Sequence, residues 1–313
     1  MLGYILKRVG SAVPVCLAVS ILCFLLVQMA PGDPLTLVLP TDATQDMIDA
    51  TKARYGLDQP VPVQYLYWLG NVLTGDFGTS IATGRPVLPE IVTALSYTIR
   101  LALCAAFLGV FIGLALGLIA GYRIGSPLDK LVSALAISGV SVPHYWLAIV
   151  LVVIFSVTYG VFPAMGAGAA GDDFWTRASF MVLPAITLAA MPAGIITRSV
   201  RALVAETLNR EFVTALTARG LTDAQVFLHV FKNAAPTALA VIGVQLGYLM
   251  AGSILVETVF SWPGTGLLLN GAILQRDIPL LQGTILVLAL FFVLFNLVVD
   301  LVQPLIDPRI RRT

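Results

Sequence analysis

The chain has 313 residues, 58% of them hydrophobic and only 11% charged, with a net charge of +1. A soluble domain of this size carries about 25% charged residues, so this chain lacks the polar surface to face water and needs lipid around it. The near-zero charge, with no basic run interleaved with aromatics, argues against a nucleic-acid partner.

Six apolar stretches reach the roughly 20 residues that crossing a bilayer requires: residues 9–29, 97–122, 131–159, 180–203, 236–256 and 281–305. Lipid offers no partner to an unpaired backbone group, so each is expected to be helical. None shows the alternation of a membrane β-barrel strand. The expected fold class is an all-α integral membrane protein with six transmembrane helices. The expected organisation is residues 1–30 as the first helix, 31–96 as a loop subdomain, and 97–313 as a five-helix core. That core includes a charged connecting segment, 204–235, and a C-terminal tail.

The first stretch follows Lys7 and Arg8. It is longer than a signal-peptide core of about 7–15 residues and no small-residue cleavage site follows, so it reads as a retained span. Cys16 and Cys23 fall inside it and Cys104 inside the second; all read as buried small hydrophobes. Pro31-Gly32 ends the first helix, and Asp33-Pro34 reads as an N-cap followed by a first-turn proline. Residues 41–75 carry helical patterning, expected as two or three short helices lying on the bilayer. The second stretch places Gly109, Gly113, Gly117 and Gly121 four apart, a flat face suited to close helix contact. In the third, His144 within Val142-Pro143-His144-Tyr145-Trp146 reads as a packed interfacial histidine. Asp300, near the end of the sixth stretch, is expected to pair with Arg198 or Arg201 of the fourth.

Between the fourth and fifth stretches the apolar pattern breaks. Asn209 can cap a short helix, Gly220 can end it in the left-handed conformation, and Thr222 with Gln225 has capping-box spacing for the next. Phe212, Val213 and Leu216 share one face of that short helix. After the fifth stretch, Phe260 and Trp262 read as aromatics at the membrane interface, with the turn Pro263-Gly264 beside them. Glu257 reads as a capping and packing carboxylate or part of an outer gate.

Lys and Arg bias sets the orientation. Lys7 and Arg8, Arg123 and Lys130, then Arg201, Arg210, Arg219 and Lys232, and finally Arg309, Arg311 and Arg312 share one side of a six-span topology. That side is expected to be cytosolic, with both termini. The chain contains no Gly-rich phosphate loop ending in Gly-Lys-Ser/Thr and no His-Glu-x-x-His. His144 and His229 fall on opposite sides, so no shared metal site and no enzyme are expected.

One set of motifs runs in order along nearly the whole chain. It comprises Pro31-Gly-Asp-Pro34, Gly56-Leu-Asp-Gln-Pro60, Gly75-Asp76-Phe77-Gly78, Glu211-Phe-Val213, Ala218-Arg-Gly-Leu221 and His229-Val-Phe-Lys-Asn-Ala234. It continues with Pro236, the run Val256 to Gly266, Arg276-Asp277 and Asp307-Pro-Arg-Ile-Arg311. This set resembles the dipeptide, oligopeptide and nickel branch of ABC importer permeases, first-permease type. Residues 215–221 resemble the branch's Glu-Ala-Ala-x-x-x-Gly loop, with Thr214 in place of the Glu and Leu216 in place of the second Ala.

The resemblance implies a permease subunit of an ATP-driven importer in a bacterial inner membrane, translocating peptides. It implies a homologous second permease, forming a heterodimer, and two cytosolic ATPases that carry ATP and Mg, with no cofactor in this chain. It also implies an external solute-binding protein. Glu211, Phe212, Ala215, Leu216, Ala218, Arg219, Gly220, Leu221 and Thr222 would couple to the ATPases, with Phe212 and Leu216 as buried anchors. Asp76, Phe77, Glu257, Trp262, Pro263, Gly264, Arg276 and Asp277 would form an outer gate or touch the binding protein. Nickel or another small solute is the alternative cargo. A stand-alone secondary transporter is the alternative class, although mid-membrane charges and repeated halves are not visible.

Overall fold

A computed structural model describes residues 2–29, 44, 59–169 and 171–306. Among them run α1 (Leu2–Gln28), α2 (Val61–Leu73), α3 (Val87–Tyr122), α4 (Pro127–Ser141), α5 (His144–Leu151), a π-helical continuation (Val152–Thr158), α6 (Phe174–Leu208), α7 (Glu211–Ala218), α8 (Asp223–Val259), α9 (Thr265–Leu274) and α10 (Ile278–Ile306). Five helices are long and apolar enough to cross a membrane, and a sixth span results if the bent pair α4–α5 counts as one. Pro31–Pro34 and Asp307–Arg311 lie outside the described residues, as does Asp33 with its expected cap.

The third expected span is not one helix. Its halves meet at 108°, and the cause is Pro143. Proline has no N–H to donate, and its ring pushes the preceding residue out of the helical region. Val142 accordingly sits at φ −81°, ψ 124°, and α5 restarts with Pro143 in the N-cap position. Ser126 starts α4: its hydroxyl accepts the Asp129 N–H at 3.1 Å, with Pro127 next to it.

The chain forms two compact units. The first comprises residues 97–263 with 298–306. Its centre is α6, which buries Leu183, Leu188, Ile196, Val200 and Val204. The glycine stripe of α3 lies on it. A Cβ built on Gly113 would fall 2.7 Å from the Cβ of Ile196, one on Gly117 2.7 Å from that of Val200, and one on Gly121 2.8 Å from that of Val204. Real Cβ atoms do not approach so closely, so only glycine lets these backbones meet. Gly194 of α6 is equally committed against α4, where a Cβ would fall 2.5 Å from the Ala136 carbonyl oxygen.

One expectation fails in this unit. Phe260 and Trp262 are not interfacial: they are 1% and 2% exposed and belong to the core with Leu101, Leu188 and Val256. Burial is tolerable because Trp262 Nε1 donates to the Tyr97 carbonyl at 3.1 Å and the two rings meet edge to face at 5.9 Å, leaving no indole N–H unpaired. The side chain of Asp300, expected to pair with Arg198 or Arg201, lies outside the described residues, and Arg201 has a partner elsewhere. It forks onto Asp129, Nε to Oδ1 at 2.5 Å and Nη2 to Oδ2 at 2.8 Å, while Arg198 is exposed.

The second unit comprises residues 2–96 with 264–297, so α9 and most of α10 group with the N-terminal part. Here α2 is the described helix of the expected loop subdomain. It packs on the C-terminal half of α1: Ser20 and Tyr65 hydroxyls lie 2.8 Å apart, Gln28 Nε2 donates to Gln64 Oε1 at 2.7 Å, and Phe24 contacts the Tyr65 and Trp68 rings. Cys23 is buried and its thiol donates to the Gln282 carbonyl at 3.3 Å.

Candidate functional site

The charged segment between α6 and α8 is built from three short-range decisions. Helices α6 and α8 run for 35 and 37 residues, about 50 Å each against a hydrocarbon core of about 30 Å. Both therefore project beyond lipid, and α7 lies across their projecting ends. Asn209 does not cap α7 as expected. It closes α6, with its side-chain amide donating back to the Ala205 carbonyl at 3.0 Å. Only two residues separate the helices, so Arg210 takes the α7 N-cap position without a side-chain bond. The other two signals form as read. Gly220 has φ +79°, and the Thr222–Gln225 capping box starts α8, with the Thr222 N–H donated to Gln225 Oε1 at 2.9 Å.

The apolar face of α7 turns inward. Val213 is buried with Val200, Val204, Val226 and Val230, and Phe212, Leu216 and Leu221 pack half-buried around that cluster. Phe212 and Leu216 thus pack on this chain's own core while keeping part of their surface exposed. An eight-residue helix has one apolar face, and covering the valines beneath uses it. What α7 presents outward is Glu211, Thr214, Ala215, Thr217, Ala218 and Arg219, followed by Gly220 and Thr222. This surface sets the small residues Ala215, Ala218 and Gly220 beside the charged Glu211 and Arg219.

Beside this segment stands the Asp129–Arg201 pair, which the sequence reading missed. Asp129 is 3% exposed. The Arg201 guanidinium first, then the Gly125 N–H, hold its carboxyl well below the usual carboxylate range, against the opposing effect of burial. Ser126 three residues before an acid in a first turn is the available signal for Asp129. Its distant partner had no signal.

The residues suggested for an outer gate divide differently. In the first unit Glu257 is fully buried and Trp262 nearly so, while Pro263 is half-buried. In the second, Gly75 and Gly78 have φ of +87° and +78°. Between them Asp76 Oδ1 accepts the Gly78 N–H at 2.9 Å, and Phe77 packs against Val87, Ile91 and Leu280. Asp277 is fully buried, accepting from the Ser80 hydroxyl, from the Ala82 N–H at 3.2 Å and from the Leu280 N–H at 3.2 Å. Gly264 is buried too. Only Asp76 and Arg276 of these eight are exposed. Glu257, Trp262, Gly264 and Asp277 thus lie inside their units without exposed surface, and Asp277 holds the backbone of Ala82 and Leu280. Among the described residues no three His, Cys, Asp or Glu side chains converge as a metal site.

Comparison with known proteins agrees with this architecture. Residues 113–312 match the family described as binding-protein-dependent transport system inner membrane component, and residues 1–102 match its N-terminal companion. A Brucella abortus (strain 2308) protein, named provisionally as a peptide transport system permease, is 39% identical over 99% of both chains. The glutathione transport system permease protein GsiC of Escherichia coli (strain K12) is 37% identical, again over 99% of both. Among solved structures, a chain of the MetNI methionine ABC transporter, in an inward-facing crystal form, superposes with a TM-score of 0.55. It is 19% identical and covers 69% of this chain and 96% of its own; that likeness speaks to the fold alone. The all-helical spans, the projecting α6–α7–α8 segment and two family matches that together take in nearly the whole length have one consequence: this chain belongs to the binding-protein-dependent transport system inner membrane component family, the membrane permease component of ABC importers.

Proposed function

We propose that this chain is one half of the membrane passage of a peptide importer in a bacterial inner membrane. The observation that carries the reading is the match over 99% of both chains to relatives named for peptide and for glutathione transport. Glutathione is itself a small peptide, so both names point to one solute chemistry. A homologous second permease completes the passage as a heterodimer. Two ATPases, holding ATP and Mg, dock on the outward face of α7 around Ala215, Ala218 and Gly220. A binding protein delivers the solute from outside. With the bent pair α4–α5 as one span, the Lys/Arg bias supports both termini and α7 on the cytosolic side.

Mechanically, closure of the ATPases would move α7. Because α7 shares a core with the projecting ends of α6 and α8, they would move with it. The glycine contact of α3 on α6 would carry that motion through the membrane without loose side chains to absorb it. The test is uptake by the reconstituted complex, with its binding protein, of labelled di- and tripeptides against nickel. ATP-dependent peptide uptake is expected. Uptake of nickel but no peptide would overturn the solute assignment, and uptake independent of ATP and the binding protein would favour a secondary transporter.

A further inference from the structure

Helix α3 has two unlike faces. Its glycine stripe meets α6, and on the opposite side Leu103, Phe107 and Phe111 are 63%, 69% and 64% exposed. Spaced four residues apart, these three form one ridge along the helix. The Phe107 and Phe111 rings are stacked, with centroids 6.1 Å apart and planes 12° from parallel. Arg100, three residues before Leu103, stands on the same ridge and is exposed. Its guanidinium carbon lies 5.3 Å from the centroid of the Tyr97 ring, one turn nearer the start of α3. Among the described residues no carboxylate pairs with it.

The charges on α3 fix the depth of this ridge. No charged residue occurs from 101 to 122, and Arg123 follows. That run is about 33 Å of helix against a hydrocarbon core of about 30 Å, so Arg100 stands at one boundary of the core and Arg123 at the other. Phe111 falls about 16 Å along the axis from Arg100, close to the bilayer midplane. The ridge therefore runs the depth of one leaflet, the outer one when α7 is cytosolic. Arginine in hydrocarbon is costly unless its head reaches polar surroundings. A stem leaning over Tyr97 carries the guanidinium toward the boundary and away from the midplane. A second protein chain against this face would need an acid placed at that depth for Arg100. A phospholipid brings its phosphate there unaided, and its acyl chain is one leaflet long.

We propose that this ridge binds one phospholipid of the outer leaflet, with Arg100 holding the phosphate and the Phe107–Phe111 pair seating an acyl chain. The guanidinium donates to phosphate oxygens in the fork geometry that arginine offers. The stacked rings form a flat apolar seat that needs no rearrangement to meet the chain. Lipid held here covers the face of α3 opposite its contact with α6. Such a site requires only the membrane spans and not the peptide assignment.

The test uses the protein purified from membranes with the subunits that accompany it, and phosphatidylglycerol as the probe. Native mass spectrometry during titration with the probe should show a site that Arg100→Gln weakens about fivefold, the scale of one basic residue at an anionic membrane surface. Arg100→Lys should keep most of that affinity. Phe107→Ala with Phe111→Ala should also weaken it severalfold at unchanged thermal stability, since both rings are exposed. A nitroxide at Phe107→Cys, in liposomes and with the native cysteines replaced, should relax strongly with oxygen and weakly with a water-soluble nickel chelate, as lipid contact requires. Wild-type affinity in Arg100→Gln would overturn the site. So would protection from both relaxants, which places a second protein chain on the ridge, or strong relaxation by the nickel chelate, which places water there.

Discussion

The α3–α6 contact gives a graded prediction. A Cβ on Gly117 would lie 2.7 Å from the Val200 Cβ and 2.8 Å from the Thr197 carbonyl oxygen. Ordinary carbon contacts are about 3.5–4.0 Å, so the helices must separate by roughly 1 Å, and the backbone oxygen cannot rotate away. Overpacking of this kind costs about 1–3 kcal/mol, while replacing glycine by alanine in a helix gains up to about 1 kcal/mol. Gly117→Ala should therefore be net destabilising by about 1–2 kcal/mol. Gly109→Ala, whose Cβ would meet Pro192 at 3.3 Å, should come out near neutral. Gly70→Ala on exposed α2, with nothing within 4 Å, should be stabilising by about 0.5–1 kcal/mol. Thermal unfolding of the purified complex in one detergent ranks the three. Gly117→Ala as stable as Gly70→Ala would refute the close contact, and with it the role of the stripe in transmitting motion.

A double-mutant cycle on Asp129→Asn and Arg201→Gln should give a coupling of about 1–3 kcal/mol, and additive effects would show that the pair contributes nothing. Because the folded-state carboxyl titrates below its ordinary value of 3.8, the stabilisation is fully present above that value. It is lost as pH falls through the depressed folded value, so unfolding measured from pH 8 to 5 should not differ between wild type and Asp129→Asn in its pH slope. Gly220→Val forces a branched residue into φ +79°, a strain of about 1–3 kcal/mol, and Ala215→Arg puts bulk on the outward face of α7. Both should insert at normal levels yet abolish most uptake and ATPase stimulation; normal transport in both would remove α7 as the ATPase dock. Single cysteines at Thr44, Thr222 and Thr313 should leave only Thr44 open to an impermeant reagent from outside, and external labelling of Thr222 would reverse the orientation.

Local and lipid-driven features were legible in the amino-acid order because their physics is short-ranged. A membrane demands about 20 apolar residues per helix, so the spans announced themselves. Gly220 and the Thr222–Gln225 pair act within a few residues, so the start of α8 and the end of α7 could be read directly, and a four-residue glycine spacing declares a face whatever it meets. What the face meets is another matter: Ile196, Val200 and Val204 are some 80 residues away, and only the packed helices name them. Asn209 was misassigned because two helix ends compete for it within two residues. That Phe212 and Leu216 lean on Val200, Val204, Val226 and Val230 was not legible, because an apolar face does not say which residues of the same chain it covers. Pro143 was in plain view, but whether a proline kinks a span or breaks it through 108° depends on what fills the bend. Trp262, Asp277 and Asp129 became interior only because a carbonyl, a hydroxyl and a guanidinium distant in sequence satisfy their polar atoms. Periodicity fixes which elements form; partners for buried polar groups exist only once those elements are packed.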